Sequence, residues 1–104
     1  FLSAYLYFKI QEYKAAITAF NNFLKKYPFS LQREDALYYI AKSSYLYAIN
    51  SIQSKKLERL QEAQRNITYF QKQYPTSQYL KELQQIQDLI QSKIEKEKNV
   101  QYEL

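Results

Sequence analysis

The chain has 104 residues, a net charge of +5, and no glycine, cysteine, histidine or methionine. That length confines it to one small domain or a piece of a larger one. The missing cysteine and histidine exclude a disulfide framework, thiolate metal sites and the commonest catalytic bases and nucleophiles.

Without glycine, and with only two prolines, tight hairpins that require positive φ are disfavoured and long helices are expected. Twelve tyrosines and six phenylalanines supply large contact areas for a thin core, in which each buried hydroxyl still needs a partner. The chain starts at Phe1, and with no methionine anywhere we expect a fragment whose natural start lies upstream. No apolar run approaches the roughly 20 residues that span a bilayer. The charge alone suits nucleic acid, an anionic membrane or an acidic protein surface.

In chain order, the first predicted element is Phe1 to Ile10, apolar almost all round (Phe1, Leu2, Ala4, Tyr5, Leu6, Tyr7, Phe8, Ile10). Something has to cover such a helix in water: the following helix, a preceding repeat, or a second copy of the fragment dimerising through this edge. After a turn at Gln11 and Glu12, a second helix runs from Tyr13 to about Tyr27, antiparallel to the first because the connection is short.

That second helix carries a segment the chain writes twice. Ala16 to Ser30 recurs as Ala63 to Ser77, a constant offset of 47 (63 minus 16), matching Ala16 with Ala63, Phe20 with Ile67, Phe23 with Phe70, Tyr27 with Tyr74, Pro28 with Pro75 and Ser30 with Ser77. Apolar positions fall on one stripe at 3.6-residue periodicity. The Tyr-Pro pair then stops each helix, since proline lacks a donor and disfavours helical geometry in the residue before it. Ser30 and Ser77 are placed to cap the helices that follow.

The third element, Ser30 to about Asn50, has Glu34 and Asp35 in its first turn, where the helix dipole favours acids. Leu37, Ile40, Ala41, Ser44, Tyr45 and Ala48 form its inward face, widened by Tyr38, Tyr39, Leu46 and Tyr47. A polar joint over Asn50 to Arg59 leads into the fourth helix, which ends at Tyr74. The fifth, from Ser77 to about Lys98, carries Tyr79, Leu80, Leu83, Ile86, Leu89, Ile90 and Ile94. The last residues, 99–104, are expected to fray.

Ala4, Tyr7, Ala16, Phe20 and Pro28 sit at the spacings of tetratricopeptide repeats, although Gln11 stands where the turn is usually glycine and the interval of 47 exceeds the usual 34. The expected fold is therefore all-α, an α-solenoid of tetratricopeptide-like antiparallel helix hairpins with about five helices. Its domain covers 1–98, as a first hairpin (1–29), a second, lengthened hairpin (30–76) and a final helix (77–98).

More specific residues narrow this. Ala4-Tyr5-Leu6-Tyr7 precedes Tyr13-Lys14-Ala15-Ala16-Ile17, Tyr27-Pro28-Phe29-Ser30 precedes Arg33-Glu34, and the joint reads Asn50-Ser51-Ile52-Gln53-Ser54-Lys55-Lys56-Leu57-Glu58-Arg59 between the two Tyr-Pro-x-Ser stops. This order resembles the C-terminal portion of the BamD (YfiO) family, Bacteroidetes-like outer-membrane lipoproteins that scaffold β-barrel assembly. The resemblance implies a periplasmic module anchored to the outer membrane through a lipidated cysteine upstream of Phe1. It also implies docking to a BamA-like partner, and this fragment would be the docking half.

Carboxylates are the remaining catalytic candidates. Glu34 and Asp35 are adjacent and point to different helix faces, while Glu58 and Glu62 lie beside bases such as Arg65. A solvated surface explains both pairs, so no enzyme is expected, and no cofactor or metal. Phosphate cradling fails for want of glycine. A nucleic-acid track of Lys9, Lys14, Lys25, Lys26, Lys42, Lys55, Lys56 and Lys72 with tyrosines is a rival, but the tyrosines fall at core spacing and the lysines are dispersed.

The joint carries the partner-binding candidates Ser51, Lys55, Lys56, Glu58 and Arg59. In a structural reading, Asn50 and Ser51 cap helix ends and Glu58 lies between the bases. In a functional one, Lys55, Lys56 and Arg59 meet acidic groups of a partner, Arg59 through a bidentate carboxylate contact. Binding would be the whole activity of such a scaffold. The other readings are a generic tetratricopeptide adaptor of another envelope complex and, less favoured, a nucleic-acid-binding repeat.

Overall fold

A computed structural model describes residues 1–103. Five helices follow in order: α1 Leu2–Lys9, α2 Tyr13–Lys26, α3 Arg33–Ile49, α4 Gln53–Gln73 and α5 Leu80–Glu103. They make the chain 81% helical with no strand among the described residues, the all-α, tetratricopeptide-like solenoid that the repeat pattern predicts. The fifth helix continues past Lys98 to Glu103, so its backbone is helical over positions expected to fray; Leu104 lies outside the described residues.

Each helix packs on its neighbours in sequence, and α3 additionally meets α1 and α5, whereas the backbones of α2 and α4 stay apart. The molecule measures 47 × 27 × 20 Å. Its short axis is two helix diameters of about 10 Å, so every core side chain lies close to water. That thinness explains the aromatic composition: tyrosines bury a ring and lead a hydroxyl to the rim.

α3 is the central helix because it can be covered on several sides. Ala36, Leu37, Tyr38, Ile40, Ala41, Ser43, Ser44 and Ala48 are all buried, and the small residues among them let α2 and α4 approach closely. Against it pack the repeat positions Ala16 and Phe20 from α2, and Ala63, Ile67 and Phe70 from α4, each fully buried. Tyr39 gathers the first hairpin. Its ring stacks on Phe20 at 5.5 Å and meets Phe1, Tyr5 and Phe8 at 6.3, 5.4 and 5.0 Å.

The two stops are copies in three dimensions. Tyr27 and Tyr74 sit one residue past their helices with φ/ψ of −130/67 and −134/69. In each, the amide of the serine three residues on donates to the tyrosine carbonyl at 3.2 Å, closing a turn around the proline. The serine hydroxyls then accept the amides of Gln32 and Tyr79 at 3.0 Å. They therefore cap the turns that lead into α3 and α5 rather than the helices themselves, which begin at Arg33 and Leu80.

Of the apolar first segment, Phe1, Tyr5 and Phe8 pack inward and Ala4 is buried. Leu2, Leu6 and Ile10, at i, i+4 and i+8, form an uncovered stripe. The turn after α1 places Gln11 at φ 64, the left-handed region that a Cβ makes costly. Gln11→Gly is expected to stabilise the chain by about 1 kcal/mol, and a midpoint in urea no higher than that of wild type would refute it.

Candidate functional site

The joint is shorter than its polar sequence suggests. Helix α3 ends at Ile49 and α4 starts at Gln53, leaving Asn50 to Ile52 as the turn; Gln53 to Arg59 are already helical. The last carbonyls of α3 are satisfied by the turn itself. Asn50 Nδ2 donates to Leu46 O at 2.8 Å and Ser51 Oγ donates to Tyr47 O at 2.6 Å, which is the capping that the structural reading expects of these residues.

Arg59 then reaches back across the turn. Its Nη1 donates to Ser51 Oγ at 2.8 Å, and its guanidinium carbon lies 4.2 Å from the centre of the Tyr47 ring, a cation–π stack. One hydroxyl therefore donates to the α3 terminus and accepts from α4. Half-buried Arg59 is fixed in place, with one N–H used by Ser51 and a fork of donors left over.

The five sequence candidates do not form one surface. Ser51 and Arg59 come together on the side of α2, while Lys56 turns to the other side, beside Ile49, Lys93, Lys96 and Glu97. Lys55 and Glu58 are exposed. Glu58 does not bridge the bases: among the described residues the ion pairs are Lys42 with Glu82 and Arg65 with Glu62. Arg59, four residues on from Lys55, is directed instead onto the Tyr47 ring.

The backbones of α2 and α4 stay apart, and a groove of about 400 Å³ opens between them, with α3 as its floor. Arg59 lines it with Lys14, Ile17, Thr18, Asn21, Ser44, Tyr47, Glu62 and Asn66. Asn66 Nδ2 donates to Ser44 Oγ at 2.7 Å, fixing the floor. The single acid of the lining, Glu62, is paired with Arg65 at 2.5 Å. Arg59 and Lys14 therefore give the groove a cationic character suited to a carboxylate.

Residue spacing did not point to a second constellation, which locks α5 onto α3. The Tyr38 and Tyr79 rings stack at 3.9 Å. Tyr38 OH donates to Glu82, which also pairs with Lys42 at 3.0 Å, and Tyr79 OH donates to Asp35 at 2.5 Å. Glu34 accepts from Ser77 Oγ at 3.1 Å. The acids read from sequence as dipole partners of α3 are thus the receivers of the α5 turn.

Burial and then the bond to Glu82 push the Tyr38 hydroxyl well above its ordinary pKa near 10, and burial and then the bond to Asp35 do the same for Tyr79. Unfolded tyrosines ionise near pH 10 while these two resist, so their contribution is complete below pH 10 and is lost as pH rises toward the folded values. Melting temperature is expected to drop steeply above about pH 10, and a Tyr38→Phe/Tyr79→Phe chain to show a shallower drop. Equal slopes for the two proteins would contradict this.

A family comparison matches residues 1–101 to YfiO, described as outer membrane lipoprotein. The chain belongs to the YfiO family. Comparison with curated proteins gave no significant match. Membership associates this YfiO chain with the outer membrane and with protein partners there. No described helix is long and apolar enough to cross a membrane. Among the described residues, no group of three His, Cys, Asp or Glu side chains could hold a metal.

Proposed function

We propose that this chain is the docking half of a non-enzymatic scaffold for β-barrel assembly, working on the periplasmic side of the outer membrane and binding a BamA-type protein. One observation supports the reading above others: a guanidinium held against Tyr47 and Ser51 at the edge of a groove whose single acid is already paired. An arginine fixed in this way loses little further freedom on binding, and its remaining fork matches a carboxylate bidentately. The lipid anchor would lie upstream of Phe1, and no catalytic step is assigned to the chain.

The splitting of the candidates sharpens the proposal. Arg59, supported by Ser51, carries the contact; Lys55 adds long-range attraction; Lys56, facing α5, is expected to matter least. The test is a pull-down of the full-length parent from envelope extracts in mild detergent, comparing wild type with a Lys55→Ala/Lys56→Ala/Arg59→Ala variant. Recovery of a large barrel protein by wild type alone supports both role and joint. Recovery by both keeps the role and discards the joint, and recovery by neither favours a generic tetratricopeptide adaptor.

A further inference from the structure

The end of the bundle opposite the joint, where α2 and α4 finish and α3 and α5 begin, contains an internal control. The two Tyr-Pro-x-Ser turns share φ/ψ at their tyrosines and share their backbone and hydroxyl bonds. This backbone therefore forms with either set of side chains. Yet the first copy carries Lys26, Phe29 and Leu31 where the second carries Gln73, Thr76 and Gln78. Packing does not explain the difference, because Phe29 is 95% and Leu31 102% exposed.

Charge at this end is sorted as well. Its acids are turned inward, Glu34 to Ser77, Asp35 to Tyr79 and Glu82 to Tyr38 and Lys42. Lys25 and Lys26 are exposed and have no acid partner among the described residues. Arg33, beside Phe29, bonds only the neutral groups of Tyr69, Gln73 and Tyr74 and keeps its charge uncompensated. What faces outward is an aromatic and aliphatic tip ringed by cations.

We propose that this tip docks on an anionic phospholipid surface. Phe29 and Leu31 enter the boundary between headgroups and acyl chains, and Lys25, Lys26 and Arg33 lie at the phosphates. Around the tip, Ser30 Oγ accepts the Gln32 amide and Arg33 spends three of its five N–H groups on Tyr74, Tyr69 and Gln73. That leaves apolar area and diffuse charge, which a lipid surface accepts, whereas a protein interface needs hydrogen bonds across its area. Membership in a family of outer membrane lipoproteins supplies a membrane. The tip and the joint lie at opposite ends of α3, so failure of one reading is distinguishable from failure of the other.

The test is co-sedimentation of the chain with phosphatidylethanolamine vesicles containing about 30% phosphatidylglycerol, against vesicles of neutral lipid alone. Wild type is expected to bind the anionic vesicles, and Phe29→Thr/Leu31→Gln, which installs the side chains of the second copy, to bind at least about tenfold more weakly. Lys25→Gln/Lys26→Gln is expected to weaken binding several-fold and to flatten its salt dependence. Thermal melts check that the variants remain folded. Equal binding by wild type and the Phe29/Leu31 variant overturns the proposal. So does a wild type that sediments with neither vesicle, which would leave the tip to a protein pocket.

Discussion

Phe20→Ala is expected to destabilise the chain by about 3–5 kcal/mol. Phe20 is fully buried, and its ring supports Phe1 at 5.4 Å and Tyr39 at 5.5 Å. Removing it empties the space where α1, α2 and α3 meet, and Tyr39 cannot collapse into that space because Tyr5, Phe8 and Tyr38 hold its other sides. A chain of this length has a total stability of about 5–15 kcal/mol. The expected drop in melting temperature is therefore about 12–40 °C, at roughly 4–8 °C per kcal/mol. Phe20→Ile, which installs the residue found at the matching position Ile67, keeps most of the volume and is expected to lose about 1.5 kcal/mol or less. A Phe20→Ala chain melting within a few degrees of wild type would show that α1 is not held through this ring.

The second large effect is on binding. Arg59→Ala is expected to weaken association with the proposed BamA-type partner by at least about 30-fold, the loss of a fixed charged anchor worth about 2 kcal/mol. Stability alone would not account for that. The bond to Ser51 and the stack on Tyr47 are part-exposed and together contribute about 1–2 kcal/mol to folding, too little to unfold the chain. Arg59→Lys keeps the charge and loses the planar fork, so it is expected to fall between wild type and alanine. Ser51→Ala frees the guanidinium without touching the charge and is expected to weaken binding several-fold, chiefly through a faster off-rate. Titration calorimetry that finds Arg59→Ala binding as tightly as wild type would reduce the joint to a capping device. The contact would then have to be sought elsewhere along the groove.

The same joint marks how far residue spacing reached. Its capping residues were legible, since Asn50 and Ser51 are short polar side chains at the end of an apolar periodic run. The partner of Arg59 was not legible. Tyr47 lies on the preceding helix, and which of its faces Arg59 meets depends on the angle at which α4 returns. Grouping Ser51, Lys55, Lys56, Glu58 and Arg59 treated nearness in sequence as nearness in space. On a helix, residues 55 and 59 share a face while 56 turns away from it, and of the four only 59 lines the groove. The lock between α3 and α5 was hidden for a related reason: Asp35 and Tyr79, or Tyr38 and Glu82, are separated by 44 positions in the chain.

By itself the sequence determined the kind of structure: helices from the absence of glycine and the 3.6-residue stripes, their order from the Tyr-Pro stops, and the first hairpin from the short turn at Gln11. These are local preferences, and the stripe and the Tyr-Pro stop recur at an offset of 47. Tertiary structure alone decided which side chains became free. It turned Glu34, Asp35 and Glu82 inward, stacked Arg59 on Tyr47, and left Phe29 and Leu31 bare on a turn whose twin carries Thr76 and Gln78. Exposure and pairing depend on how helices distant in sequence cross, and no local pattern of residues encodes that crossing.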